Sequence, residues 1–217
     1  MTRAVINESI WLIGLLLQIA LLVAVYRRGI SRRLPLFSAL LAFYFGRSLL
    51  LRLLVVRLAP ETYAVLYDVL SLADILLQFL VALEIGNEIL RVPGDRRVDR
   101  ALLVIPAATI AGLATVLFIH LIPGRTRMPP DRFQIFDSLF MILLCAWSFR
   151  RSVSRLVRHA IAGLAVVAAV GLLAMVGRNQ AAMHHDPQAF AFWAYTMTVA
   201  YLLVVLYWIV FFKWEAE

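Results

Sequence analysis

The chain has 217 residues, of which 63% are hydrophobic and only 16% charged, with a formal net charge of +8. A soluble domain carries charge on about a quarter of its residues, so most of this surface must meet lipid, and a single lipid-embedded domain over 1–217 is expected. The basic residues are scattered in short segments between apolar runs, which argues against a nucleic-acid face, and the lone Cys145 excludes an internal disulfide.

A run of about 20 apolar residues crosses a bilayer as a helix, because lipid offers no partner for unsatisfied backbone groups. The first such run, near 8–26, is followed by Arg27 and Arg28. Positive charge after the apolar stretch is the reverse of a cleavable leader, so this run is expected to stay as the first span. The second, near 34–56, carries Arg47 and Arg52 and stops at Pro60. On the third, near 62–90, Asp68, Ser71, Asp74 and Gln78 share an arc of about 120°. Glu84, Asn87 and Glu88 follow toward its far end, Glu84 on a different face, before Pro93-Gly94 closes the span. A fourth, near 101–122, ends with His120 ahead of Pro123-Gly124, and a fifth, near 132–149, carries Asp137. The sixth, near 159–177, is rich in Gly163, Ala165, Ala168, Ala169, Gly171 and Ala174, small residues that permit close helix approach in lipid. His184-His185-Asp186-Pro187 separates it from the seventh, near 189–212. The expected fold is an all-α polytopic bundle of seven transmembrane helices.

Arginine sets the expected orientation. Arg27, Arg28, Arg32 and Arg33 follow the first span, Arg91, Arg96, Arg97 and Arg100 the third, and Arg150, Arg151, Arg155 and Arg158 the fifth. With seven spans all three groups fall on one side, joined by Lys213, and the positive-inside rule makes that side cytoplasmic. The N-terminus is then outside and the C-terminus inside, in the cell (inner) membrane. Acidic lipid headgroups are the expected partner of the arginine rim. Trp11 and Trp193 near one boundary and Trp147, Trp208 and Trp214 near the other suit amphipathic interface anchors.

Two of the arginine groups share a pattern. Tyr26-Arg27-Arg28-Gly29-Ile30-Ser31-Arg32 ends the first span and Phe149-Arg150-Arg151-Ser152-Val153-Ser154-Arg155 ends the fifth. Spans one and five run in the same direction, so a duplication of three helices joined by the fourth is topologically allowed. That arrangement resembles the sugar transporters built from two three-helix bundles. No comparable match joins the second span to the sixth or the third to the seventh.

An ionisable group at a helix centre costs about 2.5–3.5 kcal/mol on the insertion scale, so each needs a partner or a function. With a rise of about 1.5 Å per residue, Arg47 lies about 20 Å from the inner start of its span, in the outer half beside Asp68 and Asp74. Arg47 with one of these aspartates is the expected ion pair. Arg52 is placed to reach water or Asp68, and Asp137 is a further carboxylate at that depth. Arg47, Arg52, Asp68, Ser71, Asp74, Gln78 and Asp137 thus form a candidate intramembrane network able to bind a small-molecule ligand. The same residues could instead fix helix register alone. His120, His184 and His185 share the outer compartment with Asp131 and Asp186 and would be the zinc ligands if there were a metal site. Adjacent histidines do not readily ligate one ion, and no metal or other cofactor is expected.

A retinal Schiff base needs a lysine inside the bundle, and Lys213, the chain's sole lysine, follows the last span. Ceramidase-type seven-helix hydrolases are disfavoured by the lack of histidine between Ala189 and Phe212. No dinucleotide fingerprint, P-loop or paired intramembrane histidines for haem occurs. Three functions stay open: a small-solute transporter or channel, a sensory or structural subunit that binds without transport, and a metal-dependent membrane hydrolase.

Overall fold

The computed structural model of the chain describes residues 3–55, 57–90, 131–149 and 153–214. Within them every regular element is helical: α1 (Arg3–Arg27), α2 (Ile30–Arg33), α3 (Pro35–Leu54), α4 (Pro60–Leu90), α5 (Asp131–Ser148), α6 (Arg155–Met183) and α7 (Pro187–Trp214). Five of these, α1, α3, α4, α6 and α7, are long and apolar enough to cross a membrane, and α5 contributes a shorter apolar stretch, Ser138–Ser148. The chain is therefore a helical, multi-pass membrane bundle. The expected fourth span, 101–122, lies outside the described residues, as does the arginine group at 91–100.

The helix ends follow from local chemistry. Proline opens α3, α4 and α7, where its missing N–H costs nothing and its fixed φ suits the first turn. α1 stops because Gly29 takes a left-handed conformation, φ 66° and ψ 17°, which only glycine adopts freely. The chain then makes the single turn of α2, whose four residues are too few to carry a helical periodicity. Ser154 caps α6 by accepting a hydrogen bond from the Val157 N–H at 3.4 Å. At the other end of α6, His185 is left-handed (φ 51°) and the Asp186 N–H returns to the Ala181 carbonyl at 2.9 Å, closing the helix.

The described residues divide into two compact units. The first comprises 1–77 and 202–217. Its core gathers Leu21, Val25, Ile30, Leu34, Phe37, Leu40 and Leu41 with Val204, Val205, Trp208 and Phe212. Phe37 sits at its centre, edge-on to Trp208 at 5.2 Å and to Phe212 at 6.3 Å, the geometry aromatic quadrupoles favour. All of these lie in the halves of their helices expected to be cytoplasmic. Among described residues of α1 before Gln18, α3 after Leu41 and α4 from 60 to 77, none is fully buried. One end of this unit is closed and the other is not.

The second unit, 78–201, is built on α6. Half of the most apolar stretch of α6 is buried, against 17–28% for the other described long spans, in keeping with the close approach its small residues permit. Gly163, Gly171, Ala174, Gly177 and Ala181 are buried on it, and α5 packs along its length through Met141 and Leu144. Leu16, Leu143, Leu173 and Phe192 stand exposed on their helices, as lipid-facing side chains do and as water-facing ones seldom would.

Candidate functional site

The site is in the first unit, at its open end, and is organised by α3. Arg47 reaches α4, where its Nη1 donates to Asp74 Oδ2 at 2.5 Å and its Nη2 donates to Ser71 Oγ at 3.1 Å. Ser71 in turn donates to the Tyr67 carbonyl at 2.8 Å, so its oxygen is held with lone pairs toward the guanidinium. The guanidinium also lies over the Tyr67 ring, 5.4 Å from its centroid. Tyr67, Ser71 and Asp74 stand at successive turns of one helix face, which is why a single planar cation can touch all three. Charge, hydrogen bond and ring quadrupole then act on the same group.

Arg52, five residues on, points to another side of α3 and meets α1. It pairs with Glu8 and lies over the Trp11 ring at 5.6 Å. Arg52 keeps the exposure expected of an arginine that reaches out of the bundle, and to Asp68 or water as its expected partners the structure adds Glu8 on the neighbouring helix. The two clamps repeat one recipe, a carboxylate and an aromatic three or seven residues apart holding an arginine of α3. They differ in enclosure: Arg47 and Asp74 are 18% and 16% exposed, Arg52 and Glu8 45% and 50%. The first pair feels a lower dielectric and is the stronger.

The remaining network residues are spread out. Asp68 is exposed, at the edge of the arc opposite Asp74, and Gln78 is half-buried and belongs to the second unit. Asp137 lies on α5, with its side chain outside the described residues. Sequence reading had not included Tyr67, Glu8 or Trp11. Tyr67 falls on the same helical arc as Ser71 and Asp74, and that coincidence was the available signal.

His184 and His185 form the exposed turn between α6 and α7, and His120 lies outside the described residues. The Asp186 carboxylate beside them caps α7, its Oδ1 accepting from the Gln188 and Ala189 N–H groups at 2.9 and 3.0 Å. An open depression of about 420 Å³ beside this turn is lined by Ala181, Ala182, His185, Asp186, Pro187 and Phe190. Among the described residues no three metal-binding side chains converge.

No protein-family model, curated protein or solved structure matches the chain. The functional reading therefore rests on the α3 clamps and on the membrane fold.

Proposed function

We propose that this chain moves a small polar or anionic solute across the cell membrane, taking it up at Arg47, Ser71 and Asp74 from the outer side. The observation that carries the reading is a partly exposed guanidinium, shared between a carboxylate and a hydroxyl, at the end of the first unit where no described residue is closed off. An anionic group on a solute would compete with Asp74 for Nη1, and solute hydroxyls with Ser71. Exchange of one acceptor for another keeps the cation compensated at every stage, which lipid demands. Arg52 and Asp68, in the same unit, are proposed as the flanking polar residues.

A second reading has its own support. Both arginines of α3 already have carboxylate partners on neighbouring helices, as expected of a sensory or structural subunit whose ion pairs set helix position. Proteoliposomes separate the two. Transport predicts counterflow of a radiolabelled amino acid, organic acid or sugar that is lost in Arg47→Met. Binding detected by thermal shift, with no flux of any of the three classes, would replace transport by sensing.

A further inference from the structure

An arginine of the second unit lacks the carboxylate that Arg47 and Arg52 each have. Arg178 is half-buried on α6, near the end of that helix at Met183. Its Nε donates to the Ala174 carbonyl at 3.4 Å, and among the described residues its two Nη groups meet no acceptor and no carboxylate. The sequence offers no acid between Asp137 and Asp186. Asp186, the nearer of the two in the chain, gives its Oδ1 to the Gln188 and Ala189 N–H groups.

Position and direction keep this side chain from the water at the helix end. At about 100° per residue, Arg178 falls inside the arc of about 120° that holds the buried Gly171, Ala174, Gly177 and Ala181, and away from the exposed Leu173 and Val176. α7 packs on that arc, with Met197 against Gly171 and Trp193 against Gly177. Helix geometry tilts side chains toward the N-terminus, so an arginine near the C-terminal end reaches the nearer water only by doubling back. Arg178 does not double back: its bond to Ala174 carries the guanidinium about one turn, on the order of 5 Å, further into the span. The Trp193 indole nitrogen lies over Gly177, the residue before Arg178, and donates to no described residue, so a second donor borders the same face.

A cation taken out of water needs an opposite charge, and donors in a low-dielectric site hold an anion strongly because little water competes for it. The two Nη groups of a guanidinium present parallel N–H bonds that match the two oxygens of a carboxylate. The open depression of about 420 Å³ begins at Ala181 and Ala182, one turn beyond Arg178 on the same face of α6, so a small anion comes within a turn of Arg178 without entering lipid. We infer that Arg178 is the binding group of a second anion site, which takes the carboxylate of a small organic acid between its two Nη groups. This site belongs to the second unit and does not rest on uptake at Arg47.

The test is thermal unfolding of the full chain in nonionic detergent, titrated with sodium acetate at an ionic strength held constant with sodium fluoride, whose anion has no paired oxygens. Acetate should raise the melting temperature saturably. Arg47→Met, in which the α3 clamp is gone, should keep this response. Adding Arg178→Met to it should raise the acetate concentration for half of the shift at least about tenfold, as expected when charge-assisted hydrogen bonds are lost. Arg178→Lys in the same background keeps the charge without the paired donors, and should bind acetate more weakly than Arg178 does. In fluoride alone, the single variant Arg178→Met should melt above the parent, because it removes a charge with no protein partner. Melting below the parent would show that a carboxylate of the protein already holds the guanidinium, and would overturn the site. Loss of the acetate response in Arg47→Met would overturn it by placing the anion at the α3 clamp, and equal melting of the parent in acetate and fluoride would leave no anion site at all.

Discussion

Arg47 and Asp74 can each be neutralised without adding bulk, and the pair's burial sets the size of the effect. Removing one partner of a fully buried pair costs about 3–5 kcal/mol, because the survivor keeps its desolvation penalty. At the intermediate exposure of this pair, Arg47→Met or Asp74→Asn alone should cost about 2 kcal/mol, and the double variant less than the sum. Thermal unfolding of the two singles and the double in detergent gives the coupling directly, and additive losses would show that the pair contributes nothing. The matching cycle on Arg52→Met and Glu8→Gln should show coupling under about 1 kcal/mol, as exposed pairs do. The pairing of Arg47 with Asp74 was legible because two costly charges at one depth on consecutive spans have few other exits. Glu8 escaped notice because it sits at a helix end where water is an alternative partner, and Trp11 because interface anchoring already accounted for it.

On the helices, the close approach of α6 and α7 is concentrated at one glycine. A β-carbon added at Gly177 would overlap the Trp193 indole, whereas one at Gly171 would meet only the end of the flexible Met197 side chain, at 3.4 Å. Gly177→Ala should therefore destabilise by about 2 kcal/mol through overpacking, and Gly171→Ala should leave the melting temperature nearly unchanged. If both variants melt like the parent, the seam between α6 and Trp193 is looser than the structure places it. The small residues of span six announced close packing from the sequence, yet they could not single out Gly177, since the partner ring comes from sixteen residues further along the chain. Helix ends were less legible. α6 runs from Arg155 to Met183 where apolarity marks only 159–177, because hydropathy traces the hydrocarbon layer while the backbone stays helical through the headgroups.

For the whole molecule, orientation is the property that every functional reading needs. α6 provides an internal ruler, since Ser154 and His184 bracket a helix of 29 residues, on the order of 40 Å long. In a Cys145→Ala background, cysteine at 184 should react with an impermeant maleimide from outside intact cells, and cysteine at 154 only after permeabilisation. The opposite pattern would invert the topology and place the α3 clamps in the cytoplasmic half. The helical membrane class was readable from composition alone, because no packing arrangement could hide this much apolar surface from water. The division of α4 and α7 between two compact units was not, since a continuous helix carries no sequence mark where its neighbours change.

The two clamps of α3 also decide how this region meets the membrane voltage. Each arginine and its carboxylate together carry no net charge, so a displacement that moves both partners as one does no electrical work. Parting Arg47 from Asp74 along the membrane normal is different. A whole charge traversing the field gains or loses about 2.3 kcal/mol per 100 mV, and a partial separation takes a proportionate share. Any step in which Asp74 gives up its hold on the guanidinium without a compensating anion would therefore run at a rate set partly by the membrane potential, while a step in which a solute anion moves together with the guanidinium carries no net charge through the field.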